Sequence, residues 1–154
     1  MKRQNVALTA LVWVTLVTAV LAHQQQGPNE LLGEWKIVSG SHAGQVIPQS
    51  QLPTVVLKIE KDGHWTDPDG MVATWSTDET KKPKTLDLEY TAGPDRGKKQ
   101  LCVYEVVGDR LTIVMGVPGA KEADRPSSLA TTPEKTKVVL FNFERIKKVT
   151  SEIP

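Results

Sequence analysis

Residues 85–116 read TLDLEYTAGPDRGKKQLCVYEVVGDRLTIVMG. At the start, Leu86, Leu88 and Tyr90 alternate with Asp87 and Glu89; at the end, Leu111, Ile113 and Met115 alternate with Arg110 and Thr112. A period of two places the apolar set on one face of a strand and the polar set on the other. Ala92-Gly-Pro-Asp-Arg-Gly97 supplies a longer turn and Gly108-Asp109 a tight one. The order predicts three consecutive antiparallel strands, each with one buried and one wet face. The middle run departs from this: Leu101 and Val103 are apolar on one face, and Cys102, Tyr104 and Val106 on the other. Its second face is expected to lie under the long loop that follows, or against a second subunit.

The alternation recurs on both sides of this stretch. Val55, Leu57 and Ile59 face away from Lys58 and Glu60, and Val139, Phe141 and Phe143 alternate with Asn142 and Glu144. Lys61-Asp-Gly63 reads as a hairpin between Ile59 and Trp65, and Asp67-Pro-Asp-Gly70 as a turn leading into residues 72–76. The runs predict an all-β fold, a single antiparallel up-and-down β-barrel of about eight strands, the number that closes around side chains or one small ligand. Helical turns are expected only at residues 29–32 and within the long loop. Two connections exceed hairpin length: residues 41–53, with Pro48 and Pro53, and residues 116–137, rich in Pro, Gly, Ser and Thr. Loops of that length are functional or mobile.

The first segment stands apart. Lys2 and Arg3 precede an uncharged, mostly apolar run at residues 6–22 that ends in Val20-Leu-Ala22 and gives way to His23-Gln-Gln-Gln26. That is the pattern of a cleaved secretory signal peptide, with a retained membrane anchor as the alternative. The expected organisation is a signal peptide at 1–22, a polar leader at 23–30, a barrel domain at 31–146 and a tail at 147–154. The product is expected to be exported, periplasmic or secreted, touching the membrane only through the signal peptide before cleavage. Removal of residues 1–22 from the 154 leaves 17 Lys and Arg against 18 Asp and Glu. A near-neutral exported domain has no electrostatic footprint for nucleic acid. Cys102 is the single cysteine, so no internal disulfide forms. It is a small strand residue, or else a reactive or intermolecularly paired thiol.

No catalytic residue, metal or cofactor is expected. His23, His42 and His64 have no metal-ligand spacing on one element. His64 with Asp67 and Asp69 lacks the ligand pattern of a calcium loop and reads as ordinary turns. There is no nucleophile elbow, phosphate-cradling glycine loop or paired carboxylate on an apolar strand, so the chain is read as non-enzymatic. The basic clusters at Lys81, Lys82 and Lys84 and at Lys98 and Lys99 read as solvated loop ends, or as a rim for an anionic partner.

Gly33-Glu34-Trp35, at the head of the first strand, resembles the lipocalin signature. The wider motifs LLGEWKIVS, KKPKTLDLEYTAGPDRGKK, VYEVVGDRLTIVMG and DRPSS, in this order, resemble an uncharacterised family of exported bacterial lipocalin-like domains across roughly residues 31–145. The resemblance implies a lipocalin-like barrel in which Trp35, next to Gly33, plugs the closed end beneath Arg145. It implies no biochemical activity. The chain departs from the family near Cys102, Met115 and Leu129, so no role for a family cysteine carries over. Two functions are compatible with these readings. One is binding of a small hydrophobic or amphipathic molecule, with Trp65, Trp75 and Tyr90 at an open mouth and residues 116–137 as a lid. The other is a filled barrel acting as an envelope protein-interaction or inhibitor module.

Overall fold

The computed structural model describes residues 29–54, 56–67 and 69–147. The expected signal peptide, the leader residues up to 28 with His23, Val55, and residues 148–154 of the tail lie outside them. The described residues form nine strands: β1 (Gly33–His42), β2 (Gln45–Val46), β3 (Leu57–Ile59), β4 (His64–Thr66), β5 (Val72–Asp78), β6 (Lys84–Tyr90), β7 (Lys99–Val107), β8 (Arg110–Met115) and β9 (Val139–Arg145). Short 3₁₀ turns occupy Asn29–Leu31, Gln49–Gln51 and Glu122–Asp124.

From β3 to β9 every strand pairs antiparallel with the next, and β1 pairs with β3 on one side and β9 on the other. Eight strands therefore close into a barrel. The two-residue β2 is an addition that pairs with the end of β1 through Ser41 and His42. The seam between β1 and β9 runs from Trp35 opposite Arg145 to His42 opposite Val139, with a register shift between Ile37 and Ser39. Such a bulge bends the strand and increases its twist, which helps a small barrel close.

The alternating apolar residues point inward and meet. One buried cluster draws Trp35 and Ile37 from β1, Leu57 and Ile59 from β3, Trp65 from β4 and Ala73 from β5. The remaining strands complete it with Leu86, Leu88, Tyr90, Cys102, Tyr104, Leu111, Ile113, Met115 and Phe143. Leu31 closes the end where β1 begins. At the opposite end Leu52 is buried, with Ile47 and Met71 packed against the same cluster. The amide of Ile47 donates to the Gly40 carbonyl at 2.9 Å, tying this cover to β1. Both ends of the barrel are thus occupied by side chains.

The second apolar face of β7 lies outside the barrel, and the chain's own long loop covers it. Val103 and Val114 pack there with Val138, and Leu129 and Leu140 join them. The strap, residues 116–138, leaves β8 at Gly116, whose amide donates to the Leu101 carbonyl at 3.0 Å. A Cβ at Gly116 would sit 2.9 Å from that oxygen, closer than real Cβ atoms approach, so only glycine fits. Arg125 fastens the middle of the strap. Its Nη1 donates to the Cys102 carbonyl at 3.1 Å, its Nη2 lies 2.8 Å from Asp87 Oδ1, and its Nε donates to Glu122 Oε1. Glu122 first, and then Asp87, hold the guanidinium in its charged form against the opposing effect of burial. Farther along, Thr131 bonds the Ser41 hydroxyl at 2.8 Å and the Thr136 carbonyl meets His42 Nε2 at 2.8 Å. The strap is an outer layer across β7, β8 and β9 that reaches β1.

Arg125→Ala would leave the Cys102 carbonyl without its cationic donor and Asp87 with only the more distant Lys99. The expected loss is about 1.5–3 kcal/mol, the range for hydrogen bonds to charged groups, measured by urea denaturation. Faster amide exchange confined to residues 116–138 should accompany it; unchanged exchange there would show that Arg125 does not hold the strap.

Candidate functional site

At the closed end the backbone enters β1 through Gly33, whose φ of +128° disfavours any side chain; a Cβ there would also lie 3.1 Å from Arg145 Nη1. This leaves room for the guanidinium to lie over Trp35, with Cζ 4.0 Å from the ring centroid. Arg145 Nη1 donates to the Leu32 carbonyl and Nη2 to the Glu30 carbonyl, each at 2.6 Å. Trp35 is fully buried, and its indole Nε1 donates to the Leu31 carbonyl at 2.8 Å. Three carbonyls left free where the 3₁₀ turn ends are thereby bonded, and a cation stands where the turn's dipole is negative. Stacking of Arg on an indole contributes about 0.5–2 kcal/mol. Gly33, Trp35 and Arg145 thus form one structural unit.

Of the three aromatics expected at a mouth, Trp65 and Tyr90 are buried in the core cluster and Trp75 is partly buried against it. Trp65 pairs with Ala73, and Ala73 with Tyr90, so Trp65 and Tyr90 flank a small residue at one level of the wall. Trp75 lies two residues farther along β5, and its indole donates to the Glu60 carbonyl in the β3–β4 turn at 3.3 Å. It is partly buried and packs against the core cluster that contains the other two. The Tyr90 hydroxyl donates to Gln100 Oε1 at 2.5 Å, and Gln100 Nε2 donates to the Gly116 carbonyl at 2.7 Å. That chain ties β6 and β7 to the root of the strap. Burial pushes the Tyr90 hydroxyl's ionisation well above its ordinary range. Trp65 Nε1 is buried with no hydrogen-bond partner among the described residues.

Asp67 is 6% exposed, and its Oδ1 accepts the amides of Asp69 at 3.0 Å and Met71 at 2.8 Å. It organises the β4–β5 turn. Burial raises its pKa, more than the backbone donors lower it. His64 stands at the other end of β4, so His64, Asp67 and Asp69 do not converge. Instead His64 meets Glu60 and Asp62 on the β3–β4 turn. That grouping escaped the sequence reading, although the alternation in EKDGH (residues 60–64) carries it.

Cys102 points into the core and is fully buried, which pushes its thiol up to about 12. The basic clusters lie at opposite ends of β6, with Lys84 bonded to Glu30 at 2.6 Å, Lys98 to Asp95 at 2.7 Å, and Lys99 3.7 Å from Asp87. Cavities of about 270 and 300 Å³ open on the strap, the first beside Pro126 and Val138, the second beside Val117 and Lys137. A third, of about 390 Å³, is lined by Lys81, Lys82, Tyr104 and Leu129. Trp65, Trp75 and Tyr90 line none of these three. No protein-family model matches the chain, and no curated protein sequence does.

Trp35→Ala removes the largest side chain at the closed end and the platform under Arg145. Chemical denaturation should show a loss of about 3–5 kcal/mol; a loss below about 1 kcal/mol would remove Trp35 from that role. Asp67→Asn tests the buried carboxylate. Its folded pKa is raised, so the ionised form weakens the fold above that pKa, and the penalty fades as pH falls through the carboxylate range. The amide oxygen still accepts both turn amides. The variant should be the more stable at neutral pH, with the advantage vanishing below about pH 3. Equal stability at neutral pH would refute this.

Proposed function

We propose that the chain is an exported, non-enzymatic, lipocalin-like barrel that works through its outer surface, with the strap engaging a protein of the cell envelope. One observation carries this reading: a single buried cluster draws side chains from all eight barrel strands, and Leu31 and Leu52 cover its two ends. A barrel of this strand number has room for side chains or for one small ligand, and here side chains meet across it. The strap supports the same reading. It is bonded to the barrel at Gly116, Arg125, Thr131 and Thr136, so its surface is presented in a defined shape, with concave sites and an exposed Val117.

The non-enzymatic part rests on the polar groups. His42 bonds a backbone carbonyl and His64 a turn carboxylate, and neither bonds a hydroxyl or thiol nucleophile among the described residues. Export rests on the apolar segment at residues 6–22. A second reading, a small amphipathic ligand held in the interior, is favoured by the unpartnered indole of Trp65, since buried donors are normally satisfied.

Native mass spectrometry on untagged protein from the producing cell separates the two. The bare polypeptide mass is expected; a reproducible added mass lost on denaturation would establish the carrier instead. In the same cells, a photo-crosslinker at Val117 should capture an envelope protein, while one at Val107, exposed on the β7–β8 hairpin, should not. Equal capture at both positions would overturn the assignment to the strap.

A further inference from the structure

The tight β3–β4 turn brings together three side chains that no function described above uses. Glu60, Asp62 and His64 occupy alternate positions, and one ligand atom from each lies within 4.8 Å of the other two. His64 Nδ1 is 2.9 Å from Asp62 Oδ2. The turn is held by its own backbone, with the Glu60 amide donating to the His64 carbonyl at 2.9 Å and the Gly63 amide to the Glu60 carbonyl at 3.2 Å. The His64 amide donates to Asp62 Oδ1 at 3.2 Å. That backbone donor, with the histidine ring behind it, keeps the Asp62 carboxyl below its ordinary range. Among the described residues neither Glu60 nor Asp62 has a lysine or arginine ion-pair partner, although Lys58 and Lys61 are close in the chain.

We propose that Glu60, Asp62 and His64 bind a divalent transition-metal ion of the Zn²⁺ class. One imidazole nitrogen and two carboxylate oxygens form a mixed donor set that suits Zn²⁺ better than the all-oxygen preference of Ca²⁺ or Mg²⁺. Bonds of about 2.0–2.2 Å place neighbouring ligand atoms roughly 3–3.5 Å apart. The His64–Asp62 pair already stands near that spacing, and rotation of the exposed Glu60 side chain brings in the third. Binding at Nδ1 leaves the proton on Nε2, facing solvent. Three protein ligands leave coordination positions open to water or to a donor from another molecule. Trp75 reports on the site, because its indole bonds the Glu60 carbonyl.

The test is titration of the untagged chain with Zn²⁺ alone, followed by calorimetry and tryptophan fluorescence. A tightest site of one Zn²⁺ per chain is expected, with a fluorescence change that Trp75→Phe removes while leaving the heat of binding. His64→Asn, Asp62→Asn and Glu60→Gln should each weaken that site at least about tenfold, a loss that supporting groups alone can produce. His42→Asn should leave it unchanged. These residues are exposed, and unchanged near-ultraviolet circular dichroism will establish that each variant folds. The proposal is overturned if Zn²⁺ does not bind, if His64→Asn binds as tightly as the parent, or if Ca²⁺ binds as tightly as Zn²⁺.

Discussion

The rest of the molecule depends on the seam at which β9 returns to β1. Seven residue pairs join these strands, and they turn an open meander, with two unpaired edges, into a ring. Closure fixes the register of every other strand, because a slip of one residue would turn an entire apolar set to solvent. It also sets the interior width. With eight strands the walls stand close enough for side chains to meet, and the large residues Trp35, Trp65, Tyr104 and Phe143 fill the space, each almost wholly buried. Phe143 and Trp35 flank the seam itself, so closing the sheet and packing the core are one event.

Two arginines attach irregular chain to this ring in similar ways. Arg145 spans the carbonyls of Glu30 and Leu32 at the closed end, and Arg125 reaches the Cys102 carbonyl beneath the strap. In each case a planar cation with several donors reaches backbone oxygens on a neighbouring segment, a geometry a lysine ammonium does not reproduce. Each arginine lies beside an apolar surface, Trp35 in one case and the outer face of β7 in the other. The leader and the strap are thus joined to the barrel by packing and directed hydrogen bonds together.

The side chains of all eight barrel strands meet in one buried cluster. Tyr90 and Gln100 are engaged structurally, and the one cysteine is sealed away from solvent. Surface chemistry then concentrates in two places. The strap offers concave, ordered relief on one wall. The β3–β4 turn gathers carboxylates and an imidazole beside the closed end, where Trp75 couples the turn to the core. These features occupy separate elements and can be altered independently.

The sequence by itself determined the strands, their antiparallel order and the inward-facing residues. Those follow from a period of two and from turn residues, which act over a few positions of chain. Leu86, Leu88 and Tyr90 needed no partner to declare their face. The double-faced run at residues 101–107 was legible as an anomaly, but which surface covered it was not, because Val138 and Leu129 arrive from more than twenty residues away. Only the tertiary structure decided that residues 116–138 form an outer strap, that the Trp75 indole bonds the β3–β4 turn, and that Asp67 is buried. The same holds for the meeting of Glu60, Asp62 and His64. Each depends on how far along a neighbouring strand a residue falls and on how a turn aims its side chains, and closure of the ring sets both.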